Sequence, residues 1–156
     1  MPQSLFPRRR RYRTPILEAQ EVLLPFVSRL PGRTYPHYWQ MPPAPPTAAE
    51  AHAYGRECAA HVLQWFKDNP AYVGQGLLSR IARDIDFNLS EQRGYWLGFF
   101  NHLELLISLS ARRMNVYAYT DHQHQMMDAQ VERSLLERRV LKKRAPRKTL
   151  DEPTCC

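Results

Sequence analysis

Helix-start signals recur along this chain, and each is followed by residues that would give a helix an apolar face. They are Thr14–Pro15, Thr47 with Glu50, Asn69–Pro70, Asn88 with Glu91, and Thr120 or Asp121. Such side chains accept hydrogen bonds from the free N–H groups of a first helical turn, and proline fits the first helical position. The pattern predicts an all-α fold, a single helical bundle of about four to five helices.

The predicted helices differ in how much of their surface is apolar. They cover residues 14–30, 47–68, 70–86, 90–113 and 121–143. Helix 47–68 is amphipathic on one side only, which is typical of a helix packed on a core. Helix 90–113 is apolar on most sides, which predicts a central position, and Gly94 and Gly98 would let a neighbouring helix approach closely. Gly74 and Gly76 weaken the start of helix 70–86.

Residues 31–46 carry six prolines, which exclude a regular helix there. The segment also contains aromatic side chains and is too apolar for a free linker, so we expect it to wrap over the helical body. Tyr35, Tyr38 and Trp39 have two interpretations. They could stack on the bases of a single strand, or they could cover the bundle. We retain them as candidate partner-binding residues.

Positive charge is concentrated at the two ends of the chain. Of the 156 residues, with a net charge of +7, residues 1–33 carry +5, residues 34–137 carry −3 and residues 138–156 carry +5. Residues 1–13 and 144–156 are predicted to be disordered basic tails, with the helical domain, 14–143, between them. The candidate nucleic-acid-binding residues are Arg8, Arg9, Arg10, Arg11, Arg13, Arg138, Arg139, Lys142, Lys143, Arg144, Arg147 and Lys148.

Catalytic motifs are missing from the sequence. It contains no Gly-rich phosphate loop, GxSxG, HExxH or CxxC. His122 and His124 are interpreted as surface residues. Asp84 and Asp86 are interpreted as structural carboxylates, with Asp84 paired to Arg80 and Asp86 near the helix end. We therefore predict no catalytic residue, metal or cofactor.

The function that these patterns favour is that of a small non-enzymatic protein contacting nucleic acid or a nucleoprotein complex through its basic tails. The alternative is a protein–protein interaction regulator or inhibitor that docks through its helical body. A phage or plasmid accessory protein that blocks a host defence complex is one example of that class. An enzyme using His61, His102 or the Asp84 and Asp86 pair is the least favoured interpretation.

Cysteine usage and hydropathy bear on location and partners. Cys58 is isolated, and Cys155 and Cys156 end the chain, which suits a reducing, cytoplasmic location. The most apolar window, 94–109, is too short for a membrane span, so no membrane partner is predicted. The uneven apolar pattern of residues 126–141 fits neither a core face nor a heptad seam, and it leaves a homodimer open as a further partner arrangement.

Overall fold

The computed structural model describes residues 6–13, 21–43 and 47–144, with the side chains of residues 142–144 excepted. These residues are mostly helical, and the only β pairing among them is an isolated bridge between Ser28 and His37. The all-α class is therefore confirmed. The four α-helices are α1 (Ala48–Asp68), α2 (Leu77–Asp84), α3 (Arg93–Ala111) and α4 (Val116–Arg144). The chain forms two compact units, residues 1–109 and 110–156.

Helix α1 has the boundaries that its sequence predicts. The Thr47 hydroxyl accepts a hydrogen bond from the backbone N–H of Glu50 at 3.2 Å and donates one to the Glu50 carboxylate at 2.8 Å. This arrangement ties the first turn to the cap. At the other end, the Asn69 backbone N–H donates to the Trp65 carbonyl at 2.9 Å. Buried residues lie along one face of the helix: Ala51, Tyr54, Cys58, Val62 and Trp65.

Helices α1 and α3 touch through their backbones. A Cβ on Gly55 of α1 would lie 2.9 Å from the carbonyl carbon of Tyr95 and from the amide nitrogen of Phe99. A Cβ on Gly98 of α3 would lie 2.8 Å from the carbonyl carbon of His52, and one on Gly94 would be 2.5 Å from the Ala51 Cβ. The prediction that Gly94 and Gly98 allow a close neighbour is confirmed.

The segment before α1 differs from the predicted helix 14–30. Residues 14–20 lie outside the described structure, Glu21–Leu23 form a single 3₁₀ turn, and residues 24–30 are not helical. Pro25 breaks the helix because it has no N–H to donate. Phe26 turns inward, and its carbonyl accepts a hydrogen bond from the Gln40 backbone at 2.8 Å.

The aromatic residues near position 40 divide between core and surface. Tyr38 and Trp39 are 6% and 2% exposed, whereas Tyr35 is 76% exposed. The Trp39 ring packs edge-on against Phe99 of α3, with centroids 5.3 Å apart. Burial removes Tyr38 and Trp39 from the candidate partner surface, because neither ring is accessible, and leaves Tyr35 as the exposed candidate.

The third predicted helix is divided. Pro70–Tyr72 form a 3₁₀ turn, and α2 begins only at Leu77. Gly74 and Gly76 have φ angles of +87° and +83°, a left-handed conformation that interrupts any helix.

The predicted ion pair between Arg80 and Asp84 is wrong. Arg80 pairs instead with Glu21, while Asp84 pairs with Arg83 at 3.1 Å and accepts the Tyr38 N–H at 2.8 Å. Glu21 and Tyr38 come from outside α2, where helical spacing could not reveal them.

Helices α3 and α4 also correct two predictions. The second half of α3 exposes Leu105, Ile107 and Leu109, so only its first half is central. The predicted start of the last helix at Thr120 or Asp121 is wrong, because α4 already begins at Val116, where the Asn115 side chain accepts the Ala118 N–H at 3.1 Å. Within the described part of the chain, no helix has both the length and the apolar character needed to cross a bilayer.

Candidate functional site

The described part of the N-terminal arginine segment, residues 6–13, packs on α1 instead of being disordered. Tyr12 is fully buried. Its backbone N–H donates to the Asp68 carboxylate at 2.9 Å, and its hydroxyl hydrogen-bonds Nδ1 of His61. The prediction of a disordered tail is therefore wrong for residues 6–13, because one aromatic side chain anchors the arginines beside it. Residues 1–5 lie outside the described structure.

Three arginines of this segment pair with two carboxylates of α1. Arg9 forms a bidentate ion pair with Glu57, with nitrogen–oxygen distances of 2.6 and 2.9 Å. Arg11 and Arg13 lie 3.6 and 3.8 Å from the same Asp68 oxygen. The side chains of Arg9, Arg11 and Arg13 nevertheless remain 82%, 72% and 79% exposed. The pairing therefore orients these guanidinium groups without removing them from solvent.

Arg8 and Arg10 are the other two of the five arginines between Arg8 and Arg13, which together are called the arginine row. The Arg10 guanidinium donates to the Leu23 carbonyl and lies 5.5 Å from the centre of the Tyr12 ring, a cation–π arrangement. Arg8 is exposed and forms no ion pair within the described residues. Five arginine charges thus stand beside two carboxylates, and the site has an excess of positive charge.

A cleft of about 500 Å³ lies between the arginine row and α1. Its lining residues are Arg9, Arg10, Arg11, Glu57, Ala60, His61 and Gln64. Arginine side chains form one wall, and mostly polar residues of α1 form the other. The cleft has the size and charge to receive an anionic group, and arginine forks match the oxygens of phosphate.

The protonation states of the cleft follow from its contacts. The hydrogen bond from Arg9 lowers the pKa of Glu57, and the Tyr12 N–H, followed by the Gln64 side chain, lowers the pKa of Asp68. Burial lowers the pKa of His61, with the backbone of Pro7 opposing that shift. At neutral pH the carboxylates are ionised and the His61 ring is uncharged, with its Nδ1 hydrogen-bonded to the Tyr12 hydroxyl.

The C-terminal candidates belong to the other compact unit. Arg138 and Arg139 are exposed near the end of α4. Lys142, Lys143 and Arg144 lie within α4 by their backbone, while their side chains are outside the description. Arg147 and Lys148 lie beyond the described residues. The C-terminal cluster is therefore helical as far as Arg144.

The candidate histidines and aspartates lie in different parts of the described structure. Among the described residues, no three His, Cys, Asp or Glu side chains come together as metal ligands would. His122 and His124 are exposed on α4. The Asp86 carboxylate accepts the Asn88 backbone N–H at 3.0 Å, so Asp86 caps a turn. Burial opposes ionisation of Asp84, but the Tyr38 N–H and Arg83 still hold its pKa below the ordinary value.

Sequence reasoning missed Glu57, His61 and Asp68 as the residues that position the arginines. The available signal was Tyr12, a large aromatic residue inside a run of arginines. Comparison with protein-family models, with curated proteins and with solved structures gives no match for this chain. The site is interpreted from its own geometry.

Proposed function

We propose that this chain is a small non-enzymatic binding protein that contacts phosphate groups of nucleic acid, free or within a nucleoprotein complex. The contacts come from the arginine row, Arg8 to Arg13, and from the basic end of α4. One observation carries the proposal. Tyr12 and Asp68 fix the backbone of the row, while the arginine side chains on either side stay largely exposed.

A fixed arginine row is a better anion receptor than a free tail. A disordered segment loses backbone freedom on binding, whereas residues 6–13 have already lost it on folding. Each guanidinium carries five N–H donors. Arg9 uses its Nε and Nη2 on Glu57, which leaves the Nη1 donors for a phosphate. The row can therefore bind phosphate without giving up the pairs that hold it in place.

Fluorescence anisotropy with labelled single- and double-stranded DNA and RNA tests the proposal across a salt series. The full-length double variant Arg8→Gln, Arg11→Gln removes two exposed charges. Arg8 forms no ion pair within the described residues, and Arg11 lies 3.6 Å from the Asp68 carboxylate. We expect weaker binding and a smaller logarithmic salt slope. The slope should fall by about 0.9 for each phosphate of a DNA duplex that the variant no longer neutralises.

The matched control is Arg29→Gln, Arg33→Gln, because both residues are exposed and neither lines the cleft. It removes the same net charge. If the control weakens binding as much as the row variant, overall charge is responsible and the row is not the site. If the wild type binds no nucleic acid near physiological salt, the proposal fails.

The alternative function, a regulator that docks on a partner protein, is favoured by a different surface. Leu105 and Leu109, one turn apart on the same face of α3, are 56% and 47% exposed, and exposed apolar patches are typical of protein interfaces. Cross-linking in cell extract would favour this function if Arg8→Gln, Arg11→Gln retains one defined partner and Leu109→Glu loses it.

A further inference from the structure

Helix α4 is long and exposed, and many of its exposed side chains are large and apolar. It has 29 residues, about 43 Å at 1.5 Å per residue, and every described side chain on it except Ala129 is exposed. Ten large apolar residues are among them: Val116, Tyr117, Tyr119, Met126, Met127, Val131, Leu135, Leu136, Val140 and Leu141. Large apolar side chains on an exposed helix are typical of an interaction site where several of them share one face.

The charges of α4 show what kind of partner fits it. Residues 116–132 contain three acidic residues and no lysine or arginine, a net charge of −3. Residues 133–144 contain six basic residues and one acidic residue, a net charge of +5. A helix dipole favours such a gradient only within the first and last turns, whereas this one extends to the middle of the helix. A second α4 running in the opposite direction would place each acidic half beside a basic half.

The apolar residues of 126–141 taken together fit no heptad seam, but a subset that begins earlier, at Tyr119, forms a row with the spacing that such a pair needs. Tyr119, Met126, Ala129, Leu136 and Val140 follow one another in steps of three, four or seven residues. This spacing forms the seam of a left-handed helix pair. His122 and Arg133 occupy the two intervening positions, and the methylene groups of an arginine can cover apolar neighbours. Ala129, the smallest residue, lies near the middle of the row, where two antiparallel helices would cross.

We propose that α4 pairs with α4 of a second copy of this chain, in antiparallel orientation, with the row from Tyr119 to Val140 as the seam. Two 43 Å helices provide the length for a stable interface, which requires at least about 1,200 Å² of total buried surface. The proposal is independent of nucleic-acid binding, since it uses neither the arginine row nor the cleft.

Light scattering on the full chain gives the first test. We expect a mass twice the 18.3 kDa of one chain at micromolar concentration. The variant Leu136→Glu places a charge in the seam and should raise the dissociation constant about tenfold or more. Because Leu136 is 58% exposed in a single chain, folding should persist, and circular dichroism checks it. The matched control, Thr120→Glu, adds the same charge at an exposed position on the opposite face of the helix and should remain dimeric.

Disulfide trapping tests the orientation. Cys155 and Cys156 are first changed to serine, and the buried Cys58 is kept. An antiparallel pair places position 123 near position 137 of the other copy. A mixture of Gln123→Cys and Glu137→Cys chains should therefore form mixed disulfides, and neither chain should couple to itself. A single-chain mass, a dissociation constant unchanged by Leu136→Glu, or self-coupling of Gln123→Cys would each overturn the proposal.

Discussion

Replacing Gly98 with alanine tests the closest packing in this fold. The added Cβ would lie 2.8 Å from the carbonyl carbon of His52, and closer still to its oxygen. Both atoms belong to the backbone of α1, so no side-chain rotation can relieve the clash. The helices must separate, and the buried residues Tyr95, Phe99 and Leu103 of α3 then pack less closely against the core.

Two opposing effects determine the magnitude. In an open helix, alanine is more favourable than glycine by about 1 kcal/mol. Overfilling a packed core typically costs about 1–3 kcal/mol and occasionally more, and here the clash is between backbones. We expect Gly98→Ala to lower the free energy of unfolding by about 2 kcal/mol, which lowers the melting temperature by roughly 4–8 °C.

Urea unfolding followed by circular dichroism and tryptophan fluorescence measures the change. Ser108→Ala on the same helix is the control, because Ser108 is exposed and its replacement should change stability by no more than about 0.5 kcal/mol. If Gly98→Ala proves as stable as the wild type, or more stable, then helix propensity outweighs the clash. In that case α1 and α3 do not touch through their backbones in solution.

Three further predictions concern buried polar groups. Burial lowers the pKa of His61 below 6.5, so its contribution to stability is complete above pH 6.5 and is lost as the pH falls. The free energy of unfolding should decline as the pH falls below about 6.5. The decline should be smaller in His61→Asn and unchanged in the exposed His122→Asn, and equal slopes in all three proteins would contradict this prediction. Asp68→Asn removes the charge that accepts the Tyr12 backbone N–H. Limited trypsin digestion within residues 8–13 should then accelerate about tenfold, because a hydrogen bond to a charged group contributes about 1.5 kcal/mol or more. An unchanged digestion rate would argue against Asp68 as the anchor of Tyr12. Burial raises the pKa of the Cys58 thiol, so a thiol reagent should modify it only on unfolding, and labelling of the native protein at that position would show that the core opens.

Local sequence signals predict the helices well where caps and periodicity agree. Helix α1 has both, with Thr47 as its cap and one apolar face, and its boundaries were predictable to within a residue. Helix α4 lacks a single apolar face, so periodicity could not mark its start, and the sequence placed that start at Thr120 or Asp121. The Asn115 cap, which begins the helix, was a local signal that this pattern obscured.

The anchor of the arginine row could not be predicted in the same way. Tyr12 and Asp68 are 56 positions apart in sequence, and Arg9 and Glu57 are 48 apart. Periodicity reports which face of a helix is apolar, and Glu57 and Asp68 are not among the buried residues of that face of α1. It does not report which distant segment those carboxylates meet. From composition alone, a run of arginines that packs on a helix therefore cannot be distinguished from a free tail.

The variant Asp68→Asn distinguishes two explanations of the proposed phosphate binding. One is positive charge alone, and the other is the fixed backbone of the arginine row. If positive charge alone binds phosphate, Asp68→Asn should strengthen binding, because it raises the net charge by one and frees Arg11 and Arg13 from their pair. If the fixed backbone matters, the same variant should weaken binding, because the row must be ordered again each time a phosphate binds. We expect weaker binding with an unchanged salt slope, since every phosphate-contacting residue is retained. Anisotropy at several salt concentrations measures both quantities, and tighter binding by Asp68→Asn would refute the role assigned to the fixed row.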